Sequence, residues 1–344
     1  MRQLILAGLL GLYACAAQAF EVEDQRVFGT GSGAEIAVLS TTDTEIFAPL
    51  IEAFLAQNPA LRLRYVVASS QEVYRAVHDE GAAFDLVISS AMDLQMKLAN
   101  DGFAAGYASD AVLGLPGWAR WRDRLFGFAL EPVVMLASRR ALRGLEMPRS
   151  RRDLIDLLRA NPERFNGRIA TYDPHVSGAG YLFATQDARQ TDAFWRLAEV
   201  MGRLNARLYC CSGDMIKGLE NGDLALAYNV VGSYAQTRLP DGAEGELPDI
   251  VVIEPEDFTV ALLRTAFVPV GAARPELGGA LLDFMLGVQG RALIDGVAEL
   301  PPLDQTALAP HLRPIRLDPG LLVYLDQIKR RNFLGEWDAA MTQP

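Results

Sequence analysis

The feature that most constrains the fold is a repeated order of short apolar segment, polar turn and amphipathic segment. Residues 35–40 are an apolar run, residues 41–44 are hydroxyl and carboxylate side chains typical of helix caps, and apolar residues then recur at helical spacing as far as Leu55. The same order returns over residues 61–78 and 84–100. This repetition predicts parallel βαβ units, in which helices pack on a sheet.

The second half of the chain repeats the pattern between two long extended segments, residues 126–138 and 258–270. A chain of 344 residues usually divides into two lobes. We therefore predict an α/β fold with two lobes, each a βαβ sheet flanked by helices, joined by a two-segment hinge that crosses near Glu131 and Glu254. The predicted bounds are 20–131 plus 255–344 for the first lobe and 132–254 for the second.

The N-terminus has the three parts of a secretory signal peptide. A positive start at Met1–Arg2 precedes an apolar run to Ala17, and Ala17-Gln18-Ala19 offers small residues at a cleavage site. We expect cleavage after Ala19 and a periplasmic protein, with a membrane anchor or a buried first strand as the alternatives. The glycine-rich residues 29–33 precede the first predicted strand, so we interpret them as a flexible mature N-terminus.

The formal net charge is −11, and no basic tract is present. A polyanion would be repelled, which makes nucleic acid an unfavourable partner. Net charge does not exclude a small anion, because such a ligand is held by local donors.

Two adjacent cysteines, Cys210 and Cys211, follow the predicted signal peptide. Export implies an oxidising compartment. Neighbouring Cα atoms lie about 3.8 Å apart, which is below the usual disulfide range, so a ring between these two residues would be strained. Both a strained disulfide and a pair of thiols remain open. No histidine or second cysteine pair stands nearby at ligand spacing, so we predict no metal and no cofactor.

Hydroxyl-rich turns stand between the strand ends and the helix starts. In open α/β sheets such turns lie at the carboxyl edge, where ligands bind, and they present free backbone N–H groups and positive helix ends. A single turn of this kind is more often a plain helix cap, but five in one chain favour a cleft. The candidate ligand-binding residues are Ser40, Thr41, Thr42, Asp43, Ser69, Ser70, Ser89, Ser90, His175, Ser177, Gly178, Ala179, Gly180, Asn229, Ser233 and Tyr234.

Signals for catalysis are weak. The three histidines, His78, His175 and His311, are widely spaced, and no G-x-S-x-G, H-E-x-x-H or P-loop pattern occurs. We predict a protein that is not an enzyme. An exported phosphate-ester hydrolase is the alternative from another class; it would need a nucleophile with a base, or a metal.

The Ser-Thr-Thr-Asp turn after the first predicted strand and Ser177-Gly178-Ala179 at a later helix start resemble the periplasmic ferric-iron class of ABC-transporter solute-binding proteins. The resemblance implies the type II periplasmic-binding-protein fold and a Ser-Gly-Ala turn that holds a phosphate. It also implies a metal-binding histidine in the first turn, a glutamate in the third and a tyrosine pair after a late strand. This sequence departs at each metal position, with Thr41 to Asp43, Ser89 to Ala91, and Ser233-Tyr234.

The pattern is therefore similar to that of relatives that bind sugar phosphates or other organic anions. The resemblance implies a receptor that closes over a small anionic solute, an organic phosphate or carboxylate. It would deliver the solute to an inner-membrane ABC permease or to a two-component sensor domain, and we expect a monomer. The alternative within the class is a ferric-ion or metal–anion receptor.

Overall fold

A computed structural model describes residues 20–238, 249–298, 303 and 308–342. The predicted signal peptide, residues 1–19, lies outside the described residues. The strands are β1 Asp24–Phe28, β2 Glu35–Ser40, β3 Arg62–Val67, β4 Leu86–Ser89, β5 Arg120–Trp121, β6 Leu125–Ser138, β7 Ile169–Tyr172, β8 Arg207–Tyr209, β9 Leu226–Val231, β10 Ile250–Ile253, β11 Thr259–Phe267 and β12 Leu312–Pro314.

The helices lie between these strands in the order that the sequence predicts. They are α1 Thr44–Gln57, α2 Ser70–His78, α3 Met92–Asn100, α4 Asp110–Leu113, α5 Arg151–Ala160, α6 Pro162–Phe165, α7 Gly178–Gln190, α8 Ala193–Arg203, α9 Ser212–Glu220, α10 Gly232–Arg238, α11 Pro275–Leu286, α12 Val288–Ala298 and α13 Gln327–Met341, with a 3-10 helix over Pro319–Leu325.

The strands form one continuous path in the order β1-β3-β2-β4-β11-β6-β9-β7-β8. Strand β2 is parallel to β3 and β4, and β7 is parallel to β8 and β9. These parallel groups lie at the two ends of the path, and their strands are mostly buried and apolar, as expected for sheets covered by helices. The group β1–β4 with β11 forms the first lobe, and the group β7–β10 forms the second.

Strand β6 belongs to both lobes. Its residues Phe126 to Pro132 pair with β11, whereas Val133 to Ala137 pair with β9. The change of partner lies beside Glu131, where the sequence predicts the first crossing. A second connection, residues 254–258, joins β10 to β11. The predicted two-lobed α/β architecture is confirmed, while the lobe bounds themselves stay a prediction.

Two regions differ from the sequence-based expectations. Residues 29–33 are not a free N-terminus, because β1 precedes them and pairs with β3, and a side chain at Gly31 would overlap the Ala60 carbonyl. The C-terminal helix α13, expected in the first lobe, packs on the second. Its Phe333 and Trp337 stack on Phe194 of α8, with ring centroids 6.4 and 6.0 Å apart, because its apolar side chains complete the core around α8.

Among the described residues, no single helix is long and apolar enough to cross a membrane. One helix pair, Pro275–Leu286 and Val288–Gly296, has sufficient length and apolar composition when taken together but is bent by 63°.

Candidate functional site

A cavity of about 420 Å³ lies between the two lobes. Residues of both lobes line it, and hydroxyl, carboxyl, thiol and backbone groups predominate over large apolar side chains. The lining residues are Glu23, Thr41, Asp43, Ala68, Ser69, Ser70, Ser90, Tyr172, Ser177, Ala179, Cys210, Cys211, Ser212, Gly213, Asp214, Lys217, Val231 and Tyr234.

Five helix N-termini meet at this cavity. Helices α1, α2 and α3 follow β2, β3 and β4 of the first lobe, and α7 and α9 follow β7 and β8 of the second. Parallel strands end at the same edge of a sheet, so the helices that follow them begin side by side. The first-turn N–H groups of a helix have no carbonyl of their own helix to meet, and the helix dipole makes this end positive. The cavity therefore collects donors and partial positive charge.

The first turn of α7 shows this geometry in detail. Ser177 caps the helix, and its Oγ accepts the Gly180 N–H at 3.1 Å. Ser70 Oγ of the first lobe accepts the Gly178 N–H at 3.0 Å. The residue between these glycines, Ala179, lines the cavity. Both serines are at least nine-tenths buried, with 4% and 9% exposed, so their hydroxyl groups lie in a sheltered wall of the cavity.

The lobes touch along one side of the cavity. Gln71 Nε2 donates to the His175 carbonyl at 3.3 Å, and Tyr234 OH donates to the Thr41 carbonyl at 3.3 Å. Together with the Ser70–Gly178 bond, these contacts join α2 and the first turn of the first lobe to α7 and α10 of the second. The structure is therefore that of a closed cleft.

The structure brings half of the predicted residues to the cavity wall, namely Thr41, Asp43, Ser69, Ser70, Ser90, Ser177, Ala179 and Tyr234. Ser40 and Ser89 lie behind it, where their hydroxyls accept the N–H groups of Thr42 and Ala91. These two serines shape the turns of the first lobe without reaching the cavity.

Thr42 and Ser233 lie at the hinge instead. Arg264 of β11 donates to Thr42 Oγ1 and to Glu131 Oε1, and Ser233 Oγ donates to Glu131 Oε2 at 2.5 Å. Arg264 and Glu131 are 5% and 1% exposed. This buried pair connects the first turn, the β6 crossing and the start of α10.

The remaining predicted residues surround α7 without lining the main cavity. Gly178 faces Ser70 of the first lobe. Gly180 and Asn229 border a small separate pocket on the inner side of α7, where Asn229 Nδ2 donates to Asp187 at 3.1 Å. His175 is exposed, and its Nε2 lies 2.8 Å from an Asp338 carboxylate oxygen of α13.

Sequence reasoning missed one whole wall of the cavity. Ser212 Oγ is 2.5 Å from the Tyr172 hydroxyl and accepts the Val231 N–H at 3.2 Å, which holds the start of α9 against β7 and β9. The signal was present, because Cys210-Cys211-Ser212-Gly213 follows a strand and begins a helix, as the five recognised turns do. The cysteine pair was weighed only as a disulfide and as a metal site, so these four residues were not recognised as a sixth turn that begins a helix.

The same wall holds a group of side chains that could share a metal ion. Among the described residues, Cys210, Cys211 and Asp214 form the one set of three His, Cys, Asp or Glu residues with ligand atoms within 4.8 Å of one another. Cys211 Sγ donates to Asp214 Oδ2 at 3.4 Å. Burial raises the pKa of the Cys211 thiol, which favours the protonated form over a metal-binding thiolate. Both thiols are free in this structure, and the ring between them stays a prediction.

Two tyrosines also line the cavity. Burial raises the pKa of Tyr234 to about 12 and that of Tyr172 above its usual range, so both hydroxyls are neutral hydrogen-bonding groups of the cavity wall.

The fold and the interlobe cavity define a class, the two-lobed solute-binding proteins. Residues 36–295 match the family described as bacterial extracellular solute-binding protein, and the chain belongs to this family. No curated protein matches the sequence. The chain is similar to the substrate-binding protein of an ABC transporter from Agrobacterium tumefaciens, with 30% identity, a TM-score of 0.85, and coverage of 92% of this chain and 98% of that one.

Two more distant structures share the fold. AfuA from Actinobacillus pleuropneumoniae, with exogenous fructose-6-phosphate bound, has 15% identity and a TM-score of 0.71 over 91% of this chain and 100% of that one. Iron-bound HitA from Pseudomonas aeruginosa has 16% identity and a TM-score of 0.65 over 89% and 99%. The predicted type II fold is confirmed. The protein is a solute-binding receptor of an ABC transporter and not an enzyme, so the hydrolase alternative is excluded.

Proposed function

We propose that this receptor captures a small organic phosphate or carboxylate in the interlobe cavity. The observation that carries the proposal is the meeting of five helix N-termini at one cavity. Backbone N–H groups and positive helix ends bind anions without a basic side chain. Among the described lining residues only Lys217 is basic, so neutral donors would hold the anion.

The first turn of α7 is the proposed main contact. The Ala179 N–H lies in the first helical turn, where no carbonyl of α7 can accept it. The Ser70 and Ser177 hydroxyls use their oxygens as acceptors for Gly178 and Gly180, which leaves each O–H proton able to donate to an anion. AfuA, which shares the fold, holds fructose-6-phosphate in its structure, and this is consistent with a phosphorylated solute.

The cellular setting completes the proposal. Residues 1–19 direct export, the receptor acts as a monomer in the periplasm, and closure presents it to an inner-membrane ABC permease. A two-component sensor domain is the alternative partner. Fractionation of cells that express the full chain, with and without residues 1–19, tests the export step.

A thermal-shift screen tests the ligand class. The panel contains phosphorylated and carboxylated metabolites, with neutral sugars and ferric chloride as controls, and calorimetry follows on each hit. A ligand at a hundredfold excess over its Kd stabilises the native state by about 2.7 kcal/mol, which is easily seen. Stabilisation by neutral sugars alone, or a coloured tyrosinate complex with ferric salt, would refute the proposal.

A further inference from the structure

Two adjacent cysteines stand in the wall of the interlobe cavity as free thiols. Cys210 is exposed, Cys211 is half-buried, and both line the cavity. Their Sγ atoms lie within 4.8 Å of each other and of a carboxylate oxygen of Asp214. A reagent that enters the cavity can therefore reach the pair, and the two sulfur atoms are near enough to react with each other.

The pair directly precedes α9, one of the five helices whose N-termini meet at the cavity. Cys211 occupies the N-cap position with an extended backbone, φ −145° and ψ 153°, and its side chain makes no capping hydrogen bond. Gly213 and Asp214, in the first turn, line the cavity. The first N–H groups of a helix have no carbonyl partner in that helix. Their direction at α9 is therefore set by the backbone of the cysteine pair.

The thiol form of Cys211 belongs to the contacts that hold this turn. Its Sγ donates to Asp214 Oδ2 at 3.4 Å. On the next residue, Ser212 Oγ lies 2.5 Å from the Tyr172 hydroxyl and accepts the Val231 N–H at 3.2 Å. A bond from Cys211 Sγ to Cys210 would remove the thiol donor while the Ser212 contacts hold the other side of the turn.

A disulfide between neighbouring residues must change the backbone between them. Neighbouring Cα atoms lie about 3.8 Å apart, which is below the usual disulfide range, so the strain of the ring falls on the peptide unit that joins the two cysteines. Strained and exposed disulfides are the ones that external thiols reduce readily, whereas buried and relaxed disulfides are structural. We therefore expect a ring at Cys210 and Cys211 to open and close reversibly.

We infer that Cys210 and Cys211 form a reversible disulfide-exchange site that controls the first turn of α9. The co-reactant is a small-molecule disulfide. The thiolate of Cys210, the more exposed residue, attacks one sulfur of that disulfide, forms a mixed disulfide and releases one thiolate. Cys211 Sγ then attacks Cys210 Sγ and releases the second thiolate. The protein loses two electrons and two protons, and the external disulfide becomes two thiols.

The consequence for the solute rests on the proposed function. Closure of the ring removes the Cys211–Asp214 contact and redirects the N–H groups at the start of α9, so the thiol form is the form that captures the anion. Loss of one hydrogen bond to a charged group weakens binding by about tenfold. The receptor would thus capture its solute less well when small-molecule disulfides are abundant.

A redox titration with glutathione tests the exchange site itself. The full chain carries Cys15→Ala, so that Cys210 and Cys211 are its only thiols. Oxidised glutathione should give a chain lighter by two hydrogen atoms with no thiol to alkylate, and reduced glutathione should restore both thiols. Backbone hydrogen exchange over residues 212–215 should be faster in the ring form, whereas residues 178–181 of α7 should be unchanged. The variant with Cys210→Ser and Cys211→Ser should show the same exchange in both buffers.

Calorimetry with inorganic phosphate on the same samples tests the effect on capture. We expect binding about tenfold weaker in the ring form, and no difference between buffers for the double serine variant. Glutathione adducts or disulfide-linked dimers in place of the ring, a ring that reduced glutathione cannot open, or equal hydrogen exchange of α9 in both forms overturns the inference. Equal or tighter phosphate binding by the ring form also overturns it. Absence of phosphate binding by the thiol form counts against the anion site instead, and the hydrogen-exchange result then decides the thiol site alone.

Discussion

Two sets of contacts hold α7 and its first turn: one set lies within the second lobe, and the other comes from the first lobe across the cleft. Within the second lobe, Gly180 lies against Tyr172, and further along the helix Asp187 accepts from Arg151, Tyr228 and Asn229. From the first lobe, Ser70 bonds to the Gly178 N–H. The contacts within the lobe are present whether the cleft is open or closed, whereas the contact across the cleft exists only when it is closed.

Two buried arginines show the same division. Arg151 links α5 to Asp187 of α7 and to the carbonyl of Phe258, next to the second crossing. Arg264 links Glu131 of the first crossing to Thr42 of the first lobe and lies beside Ser233 of α10. The first arginine fixes the helix that presents the anion-binding turn, and the second fixes how the lobes meet. Substitutions around Arg151 should thus alter unfolding, and substitutions across the cleft should alter closure.

The largest expected effect is that of Asp187→Asn. The Arg151–Asp187 pair is almost fully buried, with 2% and 1% of the side chains exposed, and its N–O distance is 2.6 Å. Arg151 also pairs with the partly exposed Asp257, at 3.1 Å, so the substitution removes the buried one of its two carboxylate partners. Breaking a fully buried pair costs about 3–5 kcal/mol, and the remaining partner places the expected loss towards the lower end of that range. Urea unfolding should show this loss, and Asp192→Asn, at an exposed position, should not. A loss below about 1 kcal/mol for Asp187→Asn would mean that the pair does not fix α7.

The second effect concerns pH and Asp93 of α3. Burial raises the pKa of Asp93 to about 7, while the charge of Arg330 on α13 opposes this rise. Between its unfolded value near 4 and about 7, the folded state holds a proton that the unfolded state has lost. The free energy of unfolding should therefore fall as pH rises through this window, by about 1.4 kcal/mol per pH unit.

Asp93→Asn isolates this contribution. The variant cannot ionise, so it should lack the slope and gain stability relative to the parent between pH 5 and pH 7. Urea unfolding at three pH values measures the difference. Parallel curves for the two proteins would show that Asp93 titrates normally.

The sequence predicted the strands and helices of the lobes better than it predicted the site. Strands such as β2 and β6 are apolar runs whose burial follows from composition, and helices such as α2 and α5 have regularly spaced apolar residues and serine caps. Neighbouring hydroxyl residues of one turn face in different directions, so only some of them reach the cavity. Ser40 points into the core and Thr41 into the cavity, and nothing in the local sequence distinguishes them.

Other features of the site depend on contacts between distant segments. Glu23 lines the cavity because β1 pairs with β3 and places the N-terminal segment beside the first turn. The Arg264–Glu131 pair joins residues 133 positions apart. No sequence window contains such contacts, so neither the place of Glu23 in the cavity wall nor the Arg264–Glu131 pair could be predicted.

The third prediction compares two glycines of the same turn. A Cβ at Gly180 would overlap Tyr172 Cβ and lie 2.8 Å from its Cγ, both close to the backbone of the same lobe. Overpacking of this kind costs about 1–3 kcal/mol. A Cβ at Gly178 would lie 2.8 Å from Ser70 Oγ and 2.9 Å from Leu94 Cδ1, which belong to the other lobe.

Gly180→Ala should therefore lower the melting temperature, whereas Gly178→Ala should leave it nearly unchanged and resist closure. Small-angle scattering with a saturating ligand should show a smaller radius of gyration for the parent and a lesser decrease for Gly178→Ala. If both variants lower the melting temperature equally and close normally, the division between the two sides of α7 is wrong.

The smallest effects are expected from two serines whose hydroxyl groups line the cavity in matched ways. Ser177 Oγ accepts the Gly180 N–H within α7, and Ser70 Oγ accepts the Gly178 N–H across the cleft. Ser177→Ala removes a helix cap and should cost about 0.5–2 kcal/mol of unfolding free energy. Ser70→Ala removes a bond that an open protein lacks, so without ligand its unfolding free energy should change by less than that of Ser177→Ala. Under the proposed function both should weaken anion binding by about tenfold to a hundredfold, because each removes a hydroxyl donor to a charged group.

Calorimetry with the best ligand of the screen and urea unfolding without ligand give the two quantities, affinity and unfolding free energy, for each variant. Loss of stability in Ser177→Ala with unchanged affinity would make Ser177 a helix cap alone, and equal losses of stability in both variants would show that the cleft stays closed without ligand.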